Sequence, residues 1–344
     1  MSAGDGFAPG GGEGSKGGTG SAPNAGAASA GEGSSSPVII ERHEDRMIIR
    51  LNRPEVRNAI DQSMVDALHS VCAELEAEPK VAILTGTSGV FAAGADIAQL
   101  RDRRRDDALA GINSKIFTRI QQLPMPVIAL VEGFALGGGA ELAFAADFRI
   151  GTPSTRIGNP EAGLGILAAA GAAWRLRELV GEPRAKEILL AGRTLQADEA
   201  KAIGLLNDVV DPEDLETAGQ ALAERIASFA PLAVRLSKSA FHAPREAHPL
   251  IDNVAQAVLF ESQEKFARMD AFLSKREAKK AKKAAAQAAA QAAEAAAGPA
   301  EAGTAPADGA APADGAAPAD GAAPADGAAP ADETTGSETK GDKA

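Results

Sequence analysis

The sequence predicts a single α/β domain, because strand-like and helix-like segments alternate through the middle of the chain. Short apolar and β-branched runs, such as Val81–Thr85 and Val127–Val131, have the length of buried strands. Segments with apolar residues at helical spacing separate these runs, and such alternation is typical of a sheet covered by helices. The ends of the 344-residue chain differ in composition from its middle, so the folded part has the length of one domain.

Both ends of the chain have low-complexity sequences. Residues 1–36 consist almost entirely of Gly, Ala and Ser, and such a segment cannot bury enough apolar surface to offset the entropy of ordering it. Residues 277–344 begin with a Lys- and Ala-rich stretch of strong helix propensity and continue as GTAPAD and GAAPAD hexads. We therefore expect disordered extensions at both ends, a folded core over 37–230, and a helical region over 231–276 that mediates oligomerisation.

Composition and charge exclude several classes of protein. The net charge of −12 argues against nucleic acid as a partner. Cys72 is the only cysteine and the four histidines lack metal-ligand spacing, so neither a disulfide nor a metal site is expected. The N-terminus lacks the pattern of a signal peptide, and no segment is long and apolar enough to span a bilayer. These features predict a cytoplasmic protein that does not bind membranes.

The first half of the domain is predicted to begin with a hairpin. Residues 38–40 and 47–51 are strand-like and flank a polar turn. A helix follows over 61–78, with Ser63 as its candidate cap. After the strand Val81–Thr85, apolar residues at helical spacing predict another helix over 109–120, which leads into the strand Val127–Val131.

The second half is predicted to contain two short strands and a series of helices. The strands are expected over 148–150 and 207–210. Apolar residues at helical spacing predict the remaining helices over 140–146, 184–191, 197–203, 212–229, 231–241 and 251–273.

A glycine turn between the strand Val127–Val131 and the helix over 140–146 is the first candidate site. Residues 137–139 are all glycine, and the N–H groups at the start of the following helix suit a negatively charged oxygen. Phosphate is one occupant of such a turn, but neither GxGxxG nor GxxxxGK[ST] is present. Two interpretations remain: an oxyanion hole with Glu141 beside it, or a tight turn that only lets two backbones approach.

Two further loops bring candidate residues to this site. The loop GTSGVFAAGADIAQL is rich in Gly and Ala, so its backbone can run close to a ligand. Glu161 follows Pro160 on the Gly-rich segment IGNPEAGLGIL and supplies a second carboxylate.

Several motifs in register resemble one known family. They are LNRPEVRNAI, ILTGTSGVFAAGADI, PVIALVEGFALGGGAELAFAADFRIG, IGNPEAGLGIL, ILLAGRTLQADEAKAIGLLNDVV and PLAVRLSKSAF. Their order resembles the enoyl-CoA hydratase/isomerase, or crotonase, superfamily, and most closely its enoyl-CoA hydratases. The resemblance covers roughly residues 38–276 and implies a spiral of β-β-α units with C-terminal helices, assembled as a trimer or a dimer of trimers. It also implies an acyl-CoA thioester substrate, whose coenzyme A is part of the substrate rather than a separate cofactor.

The resemblance assigns roles to individual residues. The backbone N–H groups of Ala93 and Gly138 are implied to hold the thioester oxygen, and Glu141 and Glu161 to flank the attacking water and the α-carbon. The implied substrate-binding residues, beyond Ala93 and Gly138, are Gly94, Ala95, Asp96, Ile97, Gly137, Arg57 and Lys275. Of these, Asp96 is expected to bind the adenine region or its own loop, and Arg57 and Lys275 the phosphates of coenzyme A.

One segment departs from the family pattern. Residues 167–176 read LAAAGAAWRL, where hydratases usually carry LPGAGGTQRL, so that Ala168 replaces a proline and Trp174 brings an indole close to the chemistry. The expected activity is addition of water to the 2,3 double bond of an enoyl-CoA. The alternatives are another crotonase reaction, such as double-bond isomerisation, and a non-catalytic acyl-CoA-binding scaffold.

Overall fold

The structure, a computed structural model, describes the backbone of residues 36–296 and the side chains as far as residue 292. It divides into one compact unit that ends at Lys275 and a second that begins at Arg276. Residues 1–35 of the extension predicted over 1–36, and the hexads near the C-terminus, lie outside the described residues. The predicted boundary between a core over 37–230 and a helical region over 231–276 stays a prediction.

Nine strands form two sheets within the described residues of the first unit. In chain order they are β1 Val38–Arg42, β2 Arg46–Leu51, β3 Val81–Thr85, β4 Val127–Val131, β5 Phe134–Leu136, β6 Phe148–Gly151, β7 Arg156–Gly158, β8 Thr194–Gln196 and β9 Asp208–Val209. The larger sheet has the order β1-β2-β3-β4-β6-β9, in which only the β1–β2 hairpin is antiparallel. The smaller sheet has the order β5-β7-β8.

Eleven α-helices lie within the described residues. In chain order they are α1 Gln62–Ala77, α2 Ile97–Asp102, α3 Arg105–Ala110, α4 Ile112–Gln121, α5 Gly138–Phe144, α6 Ala172–Leu190, α7 Ala197–Ala202, α8 Leu215–Ala227, α9 Pro231–Phe241, α10 Leu250–Phe260 and α11 Gln263–Ala296. Strands β4 and β5 are consecutive in the chain, as are β6 and β7. In each case the first strand lies in the larger sheet and the second in the smaller one, and a helix follows. The predicted α/β spiral of strand–strand–helix repeats is confirmed.

Several predicted helices differ from those observed. The helix expected over 251–273 is divided between Phe260 and Gln263, and the helix expected over 184–191 begins at Ala172. The helix expected over 109–120 is divided at Gly111, whose φ of +65° breaks the regular hydrogen bonding between α3 and α4. The N-cap of α1 is Asp61 rather than Ser63, because an oxygen of Asp61 accepts the N–H of Met64 at 2.8 Å. The hydroxyl of Ser63 instead donates to the same Asp61 oxygen.

The larger sheet is buried on both faces. Alternate residues of β3 point to opposite sides, with Ala82 and Leu84 in one apolar cluster and Val81 and Ile83 in the other. The first cluster includes the apolar faces of α1 and α4, and the second includes that of α8. Burial on both sides explains why these strands are continuous apolar runs rather than alternating ones.

The helices that follow α8 expose many large apolar side chains. Phe241 on α9 is 83% exposed and Leu250 on α10 is 71% exposed. No helix among the described residues has both the length and the hydropathy needed to cross a membrane.

Candidate active site

A cavity of about 630 Å³ lies where the predicted loops meet. Its wall contains residues 93–95, Ile97 and residues 136–138, together with the carboxylate-bearing Glu141 and Glu161. Helices α2, α3 and α4 and the segment between Pro160 and Ala170 complete it. The structure therefore brings together the glycine turn, the Gly- and Ala-rich loop and both predicted carboxylates.

The three glycines of the turn meet different constraints. Gly137 has a φ of +51° and a ψ of −123°, a conformation that side chains disfavour. A Cβ on Gly139 would lie 2.2 Å from the carbonyl oxygen of Ala92, so this position has no room for a methyl group. A Cβ on Gly138 would meet nothing closer than the backbone nitrogen of Ala95, at 3.4 Å. Gly138 therefore lines the cavity and is the one glycine of the three where a methyl group would meet only ordinary contacts without backbone strain.

The structure corrects the prediction that the N–H of Ala93 faces the substrate. This N–H donates to the carbonyl oxygen of Arg57 at 3.0 Å and is already occupied. The nitrogen that lies beside Gly138 belongs to Ala95. Ile60 pairs with one edge of this segment through Gly94 and Asp96, so the Ala95 N–H between them is turned to the opposite edge.

Glu141 is a buried carboxylate held by backbone amides. It is 3% exposed, and its Oε1 accepts the N–H of Ala170 at 2.7 Å and of Ala172 at 3.0 Å. Burial, together with the like charge of Glu161, raises the pKa of Glu141 to about 7, although the amides and the charge of Arg175 oppose this rise. The carboxyl group is thus poised to exchange protons near neutral pH.

Glu161 lies next to the glycine turn on a short 3₁₀ segment, Glu161–Leu164. Its Oε1 would lie 3.0 Å from a Cβ on Gly137, and Asn159 connects the two by donating to both Glu161 Oε1 and the carbonyl oxygen of Gly137. Its Oε2 is buried and has no hydrogen-bond partner among the described residues. Burial raises the pKa of Glu161. Its charge is also one of the causes that raise the pKa of Glu141, so the two carboxyl groups interact.

Only some of the other predicted substrate-binding residues line the cavity. Gly94 and Ile97 line the cavity, and Ile97 is 61% exposed there. Asp96 caps α2 by accepting the N–H groups of Ala98 and Gln99 at 3.1 and 3.3 Å, so it binds its own loop. Arg57 and Lys275 are exposed and do not line the cavity, and their contacts with coenzyme A stay predictions.

The segment 167–176 contributes backbone amides to the site, and not the Trp174 indole that its sequence had suggested. Ala170 and Ala172 contribute the amides that hold Glu141, a role that no side chain reveals in the sequence. Trp174 lines a separate cavity of about 1240 Å³ and is absent from the wall of the first, so the indole does not crowd the carboxylates. Polar residues on or beside α4, notably Asn113 and Ser114, also line the site, and nothing in their spacing indicated this.

Known proteins resemble this chain over most of its length. The family model described as enoyl-CoA hydratase/isomerase matches residues 41–283. The chain is 36% identical to a short-chain-enoyl-CoA hydratase of Clostridium acetobutylicum over 249 residues, which cover 70% of this chain and 95% of that protein. It is 38% identical to a crotonyl-CoA hydratase of Syntrophomonas wolfei over 250 residues, which cover 70% and 96% of the two chains. The crystal structure of an enoyl-CoA hydratase from Bacillus anthracis matches with a TM-score of 0.66 and 32% identity, over 70% of this chain and 96% of that one.

Proposed function

The chain belongs to the enoyl-CoA hydratase/isomerase family, the crotonase superfamily of enzymes, and from this premise we propose that it adds water across the 2,3 double bond of an enoyl-CoA thioester. The observation that carries this proposal is the buried pair Glu141 and Glu161 in one cavity beside an open glycine backbone. Hydration needs one group to take a proton from water and another to deliver a proton to carbon, and two coupled carboxyl groups can do both.

The backbone N–H groups of Ala95 and Gly138 form the oxyanion hole in this proposal. Negative charge accumulates on the thioester oxygen when water attacks C3, and fixed donors that point at this oxygen stabilise the transition state by about 3 kcal/mol each. The 3.4 Å between the Ala95 nitrogen and the Cβ position of Gly138 supports a shared target for both donors. The lack of side-chain atoms at Gly138 leaves room for the oxygen.

The two carboxyl groups complete the reaction. The water oxygen forms a bond to C3 as one O–H bond breaks, and the released proton passes to the ionised carboxylate of the pair. The protonated member gives its proton to C2, which restores the thioester carbonyl. The pKa of Glu141, which burial raises to about 7, supports proton exchange by this carboxyl group near neutral pH, and burial raises the pKa of Glu161 as well.

The substrate and assembly follow from the same premise. We propose that the segment around Gly94, Ala95 and Ile97 binds the coenzyme A part of the substrate, with no separate cofactor. We further propose a homotrimer or a dimer of trimers in the cytoplasm, with a role in fatty acid metabolism. The exposed apolar side chains of α9 and α10 support self-association, since patches of this kind usually mark interfaces.

An assay of enoyl thioester absorbance tests the activity directly. Crotonyl-CoA and longer 2-enoyl-CoA substrates should lose absorbance with the wild-type protein, whereas Glu141→Gln and Glu161→Gln should each be slower by at least about 100-fold, the typical contribution of a general acid or base. No turnover at any chain length would reject the hydratase proposal. A 3-enoyl-CoA that is converted without a hydrated product would establish isomerisation instead, and thioester binding without turnover would indicate a scaffold.

A further inference from the structure

Arg175, in the first turn of α6, is a buried cation for which the proposed reaction has no use. Its side chain is only 2% exposed. Its hydrogen-bond acceptors are all neutral: Nε and Nη2 donate to Gln121 Oε1 at 3.0 and 2.8 Å, Nη2 to Thr118 Oγ1 at 3.3 Å, and Nη1 to the carbonyl oxygen of Ala170 at 3.2 Å. A buried charge without an ion-pair partner is costly, so something else must compensate it.

The turn that Arg175 contacts is the same turn that holds Glu141. The N–H groups of Ala170 and Ala172 bind Glu141 Oε1. Between them, Gly171 has a φ of +131°, and a Cβ there would lie 2.3 Å from Arg175 Nη1. The guanidinium group therefore packs directly against the backbone of this turn, while the carboxylate is bound by its amides. Gln121 and Thr118, both on α4, fix the guanidinium from the other side.

Arg175 and Glu141 also affect each other's pKa through their opposite charges. Glu141 and Glu178 are the negative groups whose attraction opposes the lowering of the Arg175 pKa to about 10 by burial. In return, Arg175 lowers the pKa of Glu141, against burial and the like charge of Glu161. Glu161 and Glu178 are thus the other charged groups that act on Glu141 and Arg175. Arg175 favours an ionised Glu141 in two ways, by contacting the turn whose amides bind the carboxylate and by its positive charge.

We propose that Arg175 is a positioning residue for the reaction: it fixes the turn 170–172 so that two amides hold Glu141, and its buried charge balances that carboxylate across the turn. The inference rests on the proposed function, because it assumes that Glu141 exchanges a proton with the substrate or water. Arg175 itself does not line the cavity; it contacts the turn whose Ala170 does.

Three variants separate positioning from simple structural support. Arg175→Gln removes the charge, and Arg175→Lys keeps the charge but loses the planar fork of donors. Arg149→Gln is the matched control, because Arg149 is also buried, at 3% exposed, and also donates to backbone carbonyl oxygens, but these are the oxygens of Ala146 and Leu205 and not of the turn 170–172. Each variant is measured for thermal unfolding, for kcat and KM with crotonyl-CoA across pH, and by infrared titration of the carboxyl band that Glu141→Gln removes.

We expect Arg175→Gln to lower kcat by about 100-fold with little change in KM, since a small displacement of a catalytic group has this effect. The apparent pKa of Glu141 should move to higher pH in both the rate profile and the infrared titration. Arg175→Lys should keep this pKa close to the wild-type value and still lower kcat. Arg149→Gln should lower thermal stability alone.

Two results would overturn the proposal: an infrared titration of Arg175→Gln that superimposes on the wild type, or an Arg175→Lys variant with full kcat. The second decides the matter if Arg175→Gln does not fold. If the wild-type protein shows no hydration, the proposed function fails, but the infrared titration of Glu141 needs no turnover and still decides for or against Arg175.

Discussion

Adjacent glycines in the turn 137–139 serve different purposes, which makes their substitution informative. Gly138→Ala adds a methyl group at ordinary contact distance from its neighbours, beside the two amides that we propose bind the thioester oxygen. We expect a melting temperature near that of the wild type and a loss of about 100-fold in kcat, as for removal of one oxyanion donor. Measurement of thermal unfolding beside the hydration assay tests this expectation.

Gly139→Ala is the control for that substitution. Its methyl group would lie 2.2 Å from the Ala92 carbonyl oxygen, so the backbone must move. We expect a loss of about 3 kcal/mol in the free energy of unfolding, a cost typical of overpacking. Equal stability of the two variants, or full activity of Gly138→Ala, would contradict the assignment of the open space at Gly138 to the thioester oxygen.

The buried carboxyl group of Glu141 also links activity to stability. Its folded pKa of about 7 lies above the ordinary value of 4.5, so between these pH values the folded state binds more protons than the unfolded state. The free energy of unfolding therefore falls as the pH rises through this window, by about 3 kcal/mol when 1.4 kcal/mol is taken per pH unit. Glu141→Gln should be at least about 100-fold less active yet more stable than the wild type at pH 8, and the difference in stability should vanish near pH 4.

Urea unfolding of both proteins at the two pH values measures this difference. Glu74→Gln is the control of opposite sign, because the hydrogen bond and charge of Arg42 lower the pKa of Glu74 in the folded state. The Glu74→Gln variant should be slightly less stable than the wild type at pH values above 4.5 and equally stable in acid. A Glu141→Gln protein that is less stable than the wild type at pH 8 would show that the carboxylate is favourable where it lies.

Residue identity predicted the carboxylates better than the backbone donors. Glu141 and Glu161 have side chains whose chemistry marks them in a motif, and the structure brings both to the cavity. An N–H group carries no such mark, because its direction depends on which strand the segment pairs with. The pairing of Ile60 with Gly94 and Asp96, which turns the Ala95 N–H toward the site, joins parts of the chain that no local pattern connects.

At the scale of elements, the cap of α1 offers a direct test of local structure. Asp61 accepts the N–H of Met64 and also pairs with Arg53 at 3.3 Å. We expect Asp61→Ala to cost about 1–2 kcal/mol of stability, as for loss of an N-cap, whereas Ser63→Ala should cost less than about 0.5 kcal/mol. Chemical denaturation of both variants measures this. A larger loss of stability for Ser63→Ala than for Asp61→Ala would support Ser63 as the N-cap, as the sequence predicted.

Element length determined which parts of the fold could be predicted. The five-residue strands β3 and β4 and the long helix α1 carry enough apolar residues to establish a period. The strands β5, β7 and β8 have three residues each, too few for any period, and they exist because the spiral pairs them across 20 residues or more. The small sheet they form is nevertheless what connects the glycine turn to Glu161.

The site as a whole depends on the order in which the spiral stacks its turns. Gly137 N–H donates to the Gly158 carbonyl oxygen at 2.8 Å, which joins the end of β5 to the end of β7 and places the Glu161 segment beside the glycine turn. Ala92 pairs with Ala135 and brings the Gly- and Ala-rich loop to the same edge. Periodicity predicted only that strands and helices alternate, and the resemblance of several motifs in register supplied the stacking.

The exposed apolar side chains of α10 make a prediction about the assembled molecule. Leu250, Val254 and Val258 are 71%, 53% and 50% exposed and recur every four residues, so they form one stripe along the helix. If this stripe is an interface, Val254→Glu buries an unpaired charge there and should dissociate the assembly. Light scattering coupled to size-exclusion chromatography should show an oligomer for the wild type and a smaller species for the variant.

Gln256→Glu provides the matched control, since it adds the same charge to α10 about 200° around the helix from Val254. This variant should keep the mass of the wild type. Glu141 and Glu161 lie in the cavity of a single chain, so a dissociated Val254→Glu protein that stays folded should keep its carboxyl titration. A wild-type protein that is monomeric at all concentrations would contradict the interface, while it would leave the chemistry of Glu141 and Glu161 untouched.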